Sequence, residues 1–213
     1  MCYLVPSTGI SHACSNSVVR YNSVVDTTDG GIVIFGATGS TVSSNTITAV
    51  SRRALGGINL VDYNPFAGSY AGVSVADNTI NAASSFIKVG IALGGMTWGS
   101  DNRSIARTYG GTVRNNRITS GPGGYLGFGI SVAGHNNAVV DGNVATAQFG
   151  GSPSQYCIPD PMVPTPGPFY FDPYTTPGSK LQSDFVAAPL VFMICRFSCF
   201  NSVQHGTNIC TIY

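Results

Sequence analysis

Side chains able to move protons or hold metal are few in this chain of 213 residues. All nine acidic residues are Asp, eight of the ten basic residues are Arg, and there are three His. Several of these fall close together in the first half: Asp26, Asp29, Arg52, Arg53, Asp62 and Lys88. Asp26 and Asp29 could hold Ca²⁺ through oxygen ligands. Arg52 or Lys88 could remove a proton from a carbon acid, with a cation neutralising the neighbouring charge. Asp29 and Asp62, set about 6.5–9.5 Å apart, could act as the acid and base of an inverting hydrolysis. The motif Asp26-Thr-Thr-Asp29-Gly-Gly equally suits turn residues that cap their own backbone. Asp26 with Arg52 equally suits a surface ion pair worth about 0–1 kcal/mol. Asn59, Tyr63, Trp98 and His135 are the candidates to bind a substrate beside these groups. Trp98 suits a stacking platform or a packing anchor, and His135, in His135-Asn136-Asn137, reads as a surface turn in preference to a catalyst.

An internal repeat positions these residues. Asn22, Asn45, Asn78, Asn116 and Asn143 each follow a Val by three residues, and Val24, Ile47, Ile80, Ile118 and Ala145 stand two residues further on. Between these units comes Gly-Ile-x-aliphatic, at Gly31, Gly57, Gly90 and Gly129. Such self-similarity marks a solenoid in which each copy buries its apolar face on its neighbours. Three short strands per turn are expected, sending inward Ile32, Ile58, Ile91 and Ile130, then Ile34, Leu60, Leu93 and Val132. Val42, Val75, Val113 and Val140 follow on the second strand, and Ile47, Ile80 and Ile118 on the third. The asparagines are expected to take the left-handed backbone of a tight corner and to bond to one another from turn to turn.

Aligned on the first Ile, the turns place Asp29, Leu55, Lys88 and Gly127 in one row and Asp26 beside Arg52. At about 4.8 Å per turn, Asp29 and Lys88 would lie about 10 Å apart. From each Asn to the next Gly-Ile the spacing is 9, 12, 12 and 13 residues; from Gly-Ile on to Asn it is 14, 21, 26 and 14. Insertions therefore collect at one corner, the usual place for a binding face. The longest adds Trp98, Asp101, Arg103, Arg107 and Tyr109.

Charge is sparse at 9% and the net value is +1, so neither nucleic acid nor an anionic membrane is an expected partner. No apolar run reaches the ~18 residues of a membrane span. Gly, Asn, Ser, Thr and Val dominate, a mix for strands and turns, so an all-β fold is expected. The solenoid should occupy residues 16–148, after an irregular segment 1–15. The first repeat begins without a cap, which favours a chain shortened at its N-terminus over a cap built by Met1 to Ser15. Eight of the twelve prolines fall between Pro153 and Pro177, interleaved with aromatic rings. Residues 149–195 are thus read as an extended cap lying against the solenoid in preference to a Pro-rich ligand for a signalling domain, and 196–213 as a disordered tail or a mis-spliced end. Of six cysteines, Cys157 and Cys195 bracket this segment and are the expected disulfide, with two separate buried thiols as the alternative, in an oxidising, extracellular setting.

The Val-x-x-Asn-x-Ile turns and the stacked Gly-Ile strands resemble the right-handed parallel β-helix of the pectate-lyase-like superfamily, over about Ser15 to Ala147. The resemblance implies about five turns and a polysaccharide lying along the first sheet, whose outward residues here are Val33, Asn59, Ala92 and Ser131. It implies a secreted, monomeric, carbohydrate-active protein that binds and cleaves an acidic or plant-type polysaccharide as a lyase or inverting hydrolase. The alternatives are a non-catalytic glycan-binding or structural β-helix, or the C-terminal part of a larger β-helix enzyme. The Asp-Asp of polygalacturonases and the Arg-x-Pro-x-x-Arg of pectate lyases are absent. Asn45-Thr46-Ile47 and Asn78-Thr79-Ile80 stand where an Asn-Thr-Asp would be sought.

Overall fold

The computed structural model describes residues 8–98, 107–153, 164–188, 196–197, 199–201 and 208–210. The chain winds as a right-handed parallel β-helix, each circuit laying one strand on each of three sheets. The first circuit is β1 (Ile10–His12), β2 (Val18–Arg20) and β3 (Ser23–Val25). The second is β4 (Gly30–Ile34), β5 (Thr41–Ser43) and β6 (Thr46–Thr48), and the third β7 (Ala54–Leu60), β8 (Ser74–Ala76) and β9 (Thr79–Ala82). The fourth has β10 (Phe86–Leu93), a short corner strand β11 (Thr108–Tyr109), β12 (Thr112–Arg114) and β13 (Arg117–Ser120). The fifth has β14 (Tyr125–Val132), a corner strand β15 (His135–Asn136), β16 (Val139–Asp141) and β17 (Val144–Ala145). After β18 (Ser152–Pro153) come β19 (Gly167–Phe171), β20 (Lys180–Leu181) and β21 (Val186–Ala187). The first sheet runs β1-β4-β7-β10-β14-β19-β21, the second β2-β5-β8-β12-β16-β20, and the third β3-β6-β9-β13-β17.

The coil extends beyond the repeat read from sequence at both ends. Gly9-Ile10 is a further Gly-Ile copy, with Ile10 paired to Ile32, inside the segment expected to be irregular. The Pro/aromatic segment is not simply laid against the coil. Its Phe169 stacks on Ile130 and Leu181 on Val140, so it supplies another circuit. Beyond the coil, β22 (Arg196–Phe197) pairs antiparallel with β18, and β23 (Cys199–Asn201) with β24 (Asn208–Cys210). Cys157, Cys195, Asp101 and Arg103 lie outside the described residues, and Cys14 is an exposed free thiol. No helix among the described residues is long and apolar enough to cross a membrane.

The expected inward aliphatics are all buried, with Ile32, Ile58, Ile91 and Ile130 in register along the first sheet. Each such side chain contributes about 1.5–3 kcal/mol of apolar burial, most of it offset by ordering the chain. The glycine before each Ile also faces the interior, where there is no room for a side chain. A Cβ on Gly57 would stand 2.4 Å from the Gly90 carbonyl oxygen and 2.8 Å from Ile80 Cγ2. Gly-Ile is thus one inward step of close backbone approach followed by one of aliphatic filling.

At the corner between the second and third sheets runs a column of amides. The Nδ2 of Asn22, Asn45, Asn78 and Asn116 each donates to Oδ1 of the next ladder asparagine, 2.9 Å away every time. That oxygen also accepts the main-chain N–H of the same donor residue. The second amide hydrogen of Asn45, Asn78, Asn116 and Asn143 goes to the carbonyl of Val19, Val42, Val75 and Val113. Gln182 takes the next place, its Oε1 accepting from Asn143 N at 2.9 Å and Nδ2 at 3.2 Å. Its Nε2 donates to Asn143 O and to Asp184 Oδ1, at 3.0 and 2.8 Å.

The left-handed conformation belongs to the residue before each asparagine, contrary to expectation. Tyr21, Ser44, Asp77, Asn115 and Gly142 have positive φ. The asparagines are there for their amides, because a polar group in a dry interior must be paired. Asn78→Ala strands two donors of Asn45 and the Val42 carbonyl, and should cost about 3 kcal/mol or more in urea unfolding. Asn22→Ala, at the half-buried start of the column, should cost clearly less. Equal losses at the two positions would contradict this account.

Candidate functional site

Asp26 has positive φ and turns its carboxylate onto the corner of the next circuit. Oδ1 accepts the main-chain N–H groups of Val50, Ser51 and Arg52 at 2.7, 2.9 and 3.2 Å, and Oδ2 accepts the Ser51 hydroxyl at 2.6 Å. Desolvation works to raise its pKa, but the Ser51 hydroxyl and the three N–H groups outweigh it and bring it down to about 2. The expected meeting with Arg52 is therefore with its backbone. An aspartate so engaged does not fit the Ca²⁺ role, and no group of three or more His, Cys, Asp or Glu that could hold a metal occurs among the described residues.

Asp29 precedes β4, where Oδ2 accepts the Thr8 hydroxyl at 2.9 Å. The register Gly30–Gly56–Val89–Phe128 sets Asp29, Leu55, Lys88 and Gly127 in one row, as the alignment on Ile gives. Asp62 lies seven residues along the chain from Leu55, past the other end of β7. At about 3.3 Å per residue, Asp29 and Asp62 are on the order of 20 Å apart, too far for the acid and base of an inverting hydrolysis. Lys88 is buried, and desolvation brings its pKa down to about 8.

The outward row of the first sheet is not open. Val33 is 7% exposed, Asn59 4%, and Ala92 and Ser131 0%. Val89, Ala92, Phe128 and Ala133 form a second apolar cluster, with Met96, Trp98 and Tyr170 packed on it. Trp98, at the end of the 3₁₀ turn Gly95–Trp98, is thus a packing anchor. The Asn59 side chain folds over Gly56, and its Oδ1, like Ser131 Oγ, has no hydrogen-bonding partner among the described residues. No substrate can lie on this row unless what covers it moves.

His135 is also buried, not on a surface turn. The Gly110 carbonyl can only accept, so Nε2–H donates to it at 2.8 Å, and Nδ1 accepts the Thr108 hydroxyl at 2.7 Å. Burial lowers the imidazole pKa to about 4 against a partial upward pull from the Gly110 bond. Its ring lies 5.7 Å from that of Tyr70, a residue that sequence reasoning missed. Buried Tyr70 donates its hydroxyl to Ile34 O at 2.8 Å and accepts the Asp62 N–H at 3.1 Å. Burial, then the Asp62 charge, raises the Tyr70 hydroxyl pKa. Nothing in the local sequence separates this tyrosine from its exposed neighbours.

Around this pair the described residues of the two insertions, 61–70 and 107–111, form one ledge. Tyr70 N–H donates to Tyr109 O, Tyr109 N–H to Gly68 O, and Gly110 N–H to Asn136 O. Gly68, at φ +79°, lies against the Tyr63 ring and the Arg107 carbonyl, where a Cβ would stand 3.1 and 2.5 Å away. Arg107 Nη1 donates to Met96 Sδ at 2.9 Å. Tyr63 and Tyr109 remain 43% and 42% exposed.

The acid response follows from these groups. Neutral His135 favours the fold above its ordinary pKa of 6.5, and this stability is lost as pH falls toward about 4. The loss amounts to about 3 kcal/mol at most. The Asp26 contribution is present above 3.8 and is lost only toward about 2. Urea midpoints should therefore fall between pH 6.5 and 4 in the wild type. His135→Gln should reduce that slope, leaving the share of His12, whose pKa burial also lowers, and the drop below pH 3.8 in place; an unchanged slope in the variant would refute the assignment.

No protein-family model, no curated protein and no solved structure matches this chain.

Proposed function

We propose that the protein is an extracellular polysaccharide-binding β-helix and that the ledge around Tyr63 and Tyr109 is its binding surface. The observation that carries this reading is the pair Tyr63 and Tyr109, held out in solvent on a backbone fixed by main-chain hydrogen bonds. A rigid, half-exposed ring loses little conformational entropy on contact and offers a flat apolar face to the C–H face of a sugar. The likeness of the ladder turns to the pectate-lyase-like superfamily supports a carbohydrate ligand. The buried outward row makes the first sheet the less suitable seat, and the separation of Asp29 from Asp62 argues against the hydrolase.

Cleavage by a lyase is a second reading, and it requires the buried Lys88 to reach the substrate. The Lys88 amine, brought to about 8 by burial, titrates in the range of a general base. A panel of acidic and plant-type polysaccharides tests both. Retention by the wild type, weakened about tenfold or more by Tyr63→Ala and Tyr109→Ala, is the expected result. New ultraviolet absorbance from unsaturated ends, lost in Lys88→Gln, would establish the lyase. A wild type that retains no polysaccharide ends the proposal.

A further inference from the structure

Tyr174 is the most exposed large ring described, at 86%. Its turn is fixed from beneath. Tyr174 N–H donates to Oδ1 of buried Asp172 at 3.0 Å, and Thr176 Oγ donates to Asp172 O at 2.8 Å. Thr175 Oγ accepts Gly134 N–H at 3.0 Å, and Gly134 O in turn accepts the Thr108 N–H at 3.2 Å. This chain of contacts sets Tyr174 on the same corner as Tyr109, two circuits further along. The intervening circuit carries His135, Asn136 and Asn137 at the corner and offers no exposed ring. Two circuits correspond to about 10 Å along the axis.

Resting on the polysaccharide reading above, we infer that the ledge continues to Tyr174 and takes an extended, unbranched β-1,4-linked glycan lying parallel to the coil axis. In the flat two-fold form of such a chain every second sugar presents the same face, and the repeat of that face matches a step of two circuits. Tyr109 and Tyr174 would then stack on sugars two apart, and Tyr63, one circuit before Tyr109, would flank the chain at its other end. A tightly coiled α-linked chain turns its faces away too quickly to meet both rings. The backbone under the three rings is set by main-chain and buried side-chain bonds, so little ordering is required on binding.

Calorimetric titration with β-1,4-linked gluco-, xylo- and manno-oligosaccharides of two to six units tests this, with α-1,4-linked oligosaccharides of equal length beside them. Affinity should rise with length until the chain spans both rings. Tyr174→Ala should then weaken the hexamer about tenfold while leaving the dimer unchanged. If Tyr109→Ala weakens the hexamer but Tyr174→Ala does not, the extended chain is wrong and the ledge reading stands. Preference for the α-linked series also overturns the inference. No binding of any oligosaccharide or polysaccharide by the wild type removes both readings. Tyr174 touches solvent rather than core, so its variant should keep the wild-type unfolding midpoint.

Discussion

A carboxamide cannot be left unpaired in a dry interior, and this coil has a column of them. Asn45, Asn78, Asn116 and Asn143 are almost wholly buried, and each finds its partners only if the neighbouring circuits arrive at the same height and in the same register. A slip of one residue in any circuit would break the contacts above and below it. The aliphatic ladders supply the bulk of the favourable free energy, but they tolerate small displacements. The amide column does not, and the phase of each circuit is set at that corner.

With one corner pinned, the others are free to differ. The corner after the first sheet carries both insertions, and its buried centre holds Tyr70 against neutral His135. That pair ties the insertions to the coil and leaves Tyr63 and Tyr109 outside. Asp26 does a similar service at the opposite corner, gathering three N–H groups of the following circuit. Polar residues that resemble catalytic groups in the bare sequence are thus spent on holding loops. The first sheet's outer face, with Phe128 and Val89 covered and Asn59 folded over Gly56, is a second interior.

The repeat was legible because inward positions recur with strand geometry whatever the loops do, so Ile32, Ile58, Ile91 and Ile130 could be placed by counting. The same count set Asp29 in line with Lys88. It missed copies whose chemistry had changed while their shape had not. Pro168 and Phe169 replace Gly and Ile, Gln182 replaces Asn, and Gly9-Ile10 has lost its aliphatic partner to His12. The site was less legible for a different reason. Whether His135, Lys88 or Asn59 meets solvent depends on what packs over it from elsewhere in the chain, which no local spacing records. Asp26 shows the same limit, since its acceptors could be counted but the donors one circuit away could not.

The amide column has a direction as well as a register. Along the column every Oδ1 accepts from the circuit before and one N–H of every Nδ2 donates to the circuit after, so the side-chain dipoles add along the axis much as peptide dipoles do in a helix. The positive pole emerges at Gln182, where the Asp184 carboxylate receives it. The coil is therefore a vector rather than a rod. A circuit grafted into it, or a second coil joined to it, would have to carry its amides the same way round, and two such coils meeting head to head would set like poles against each other.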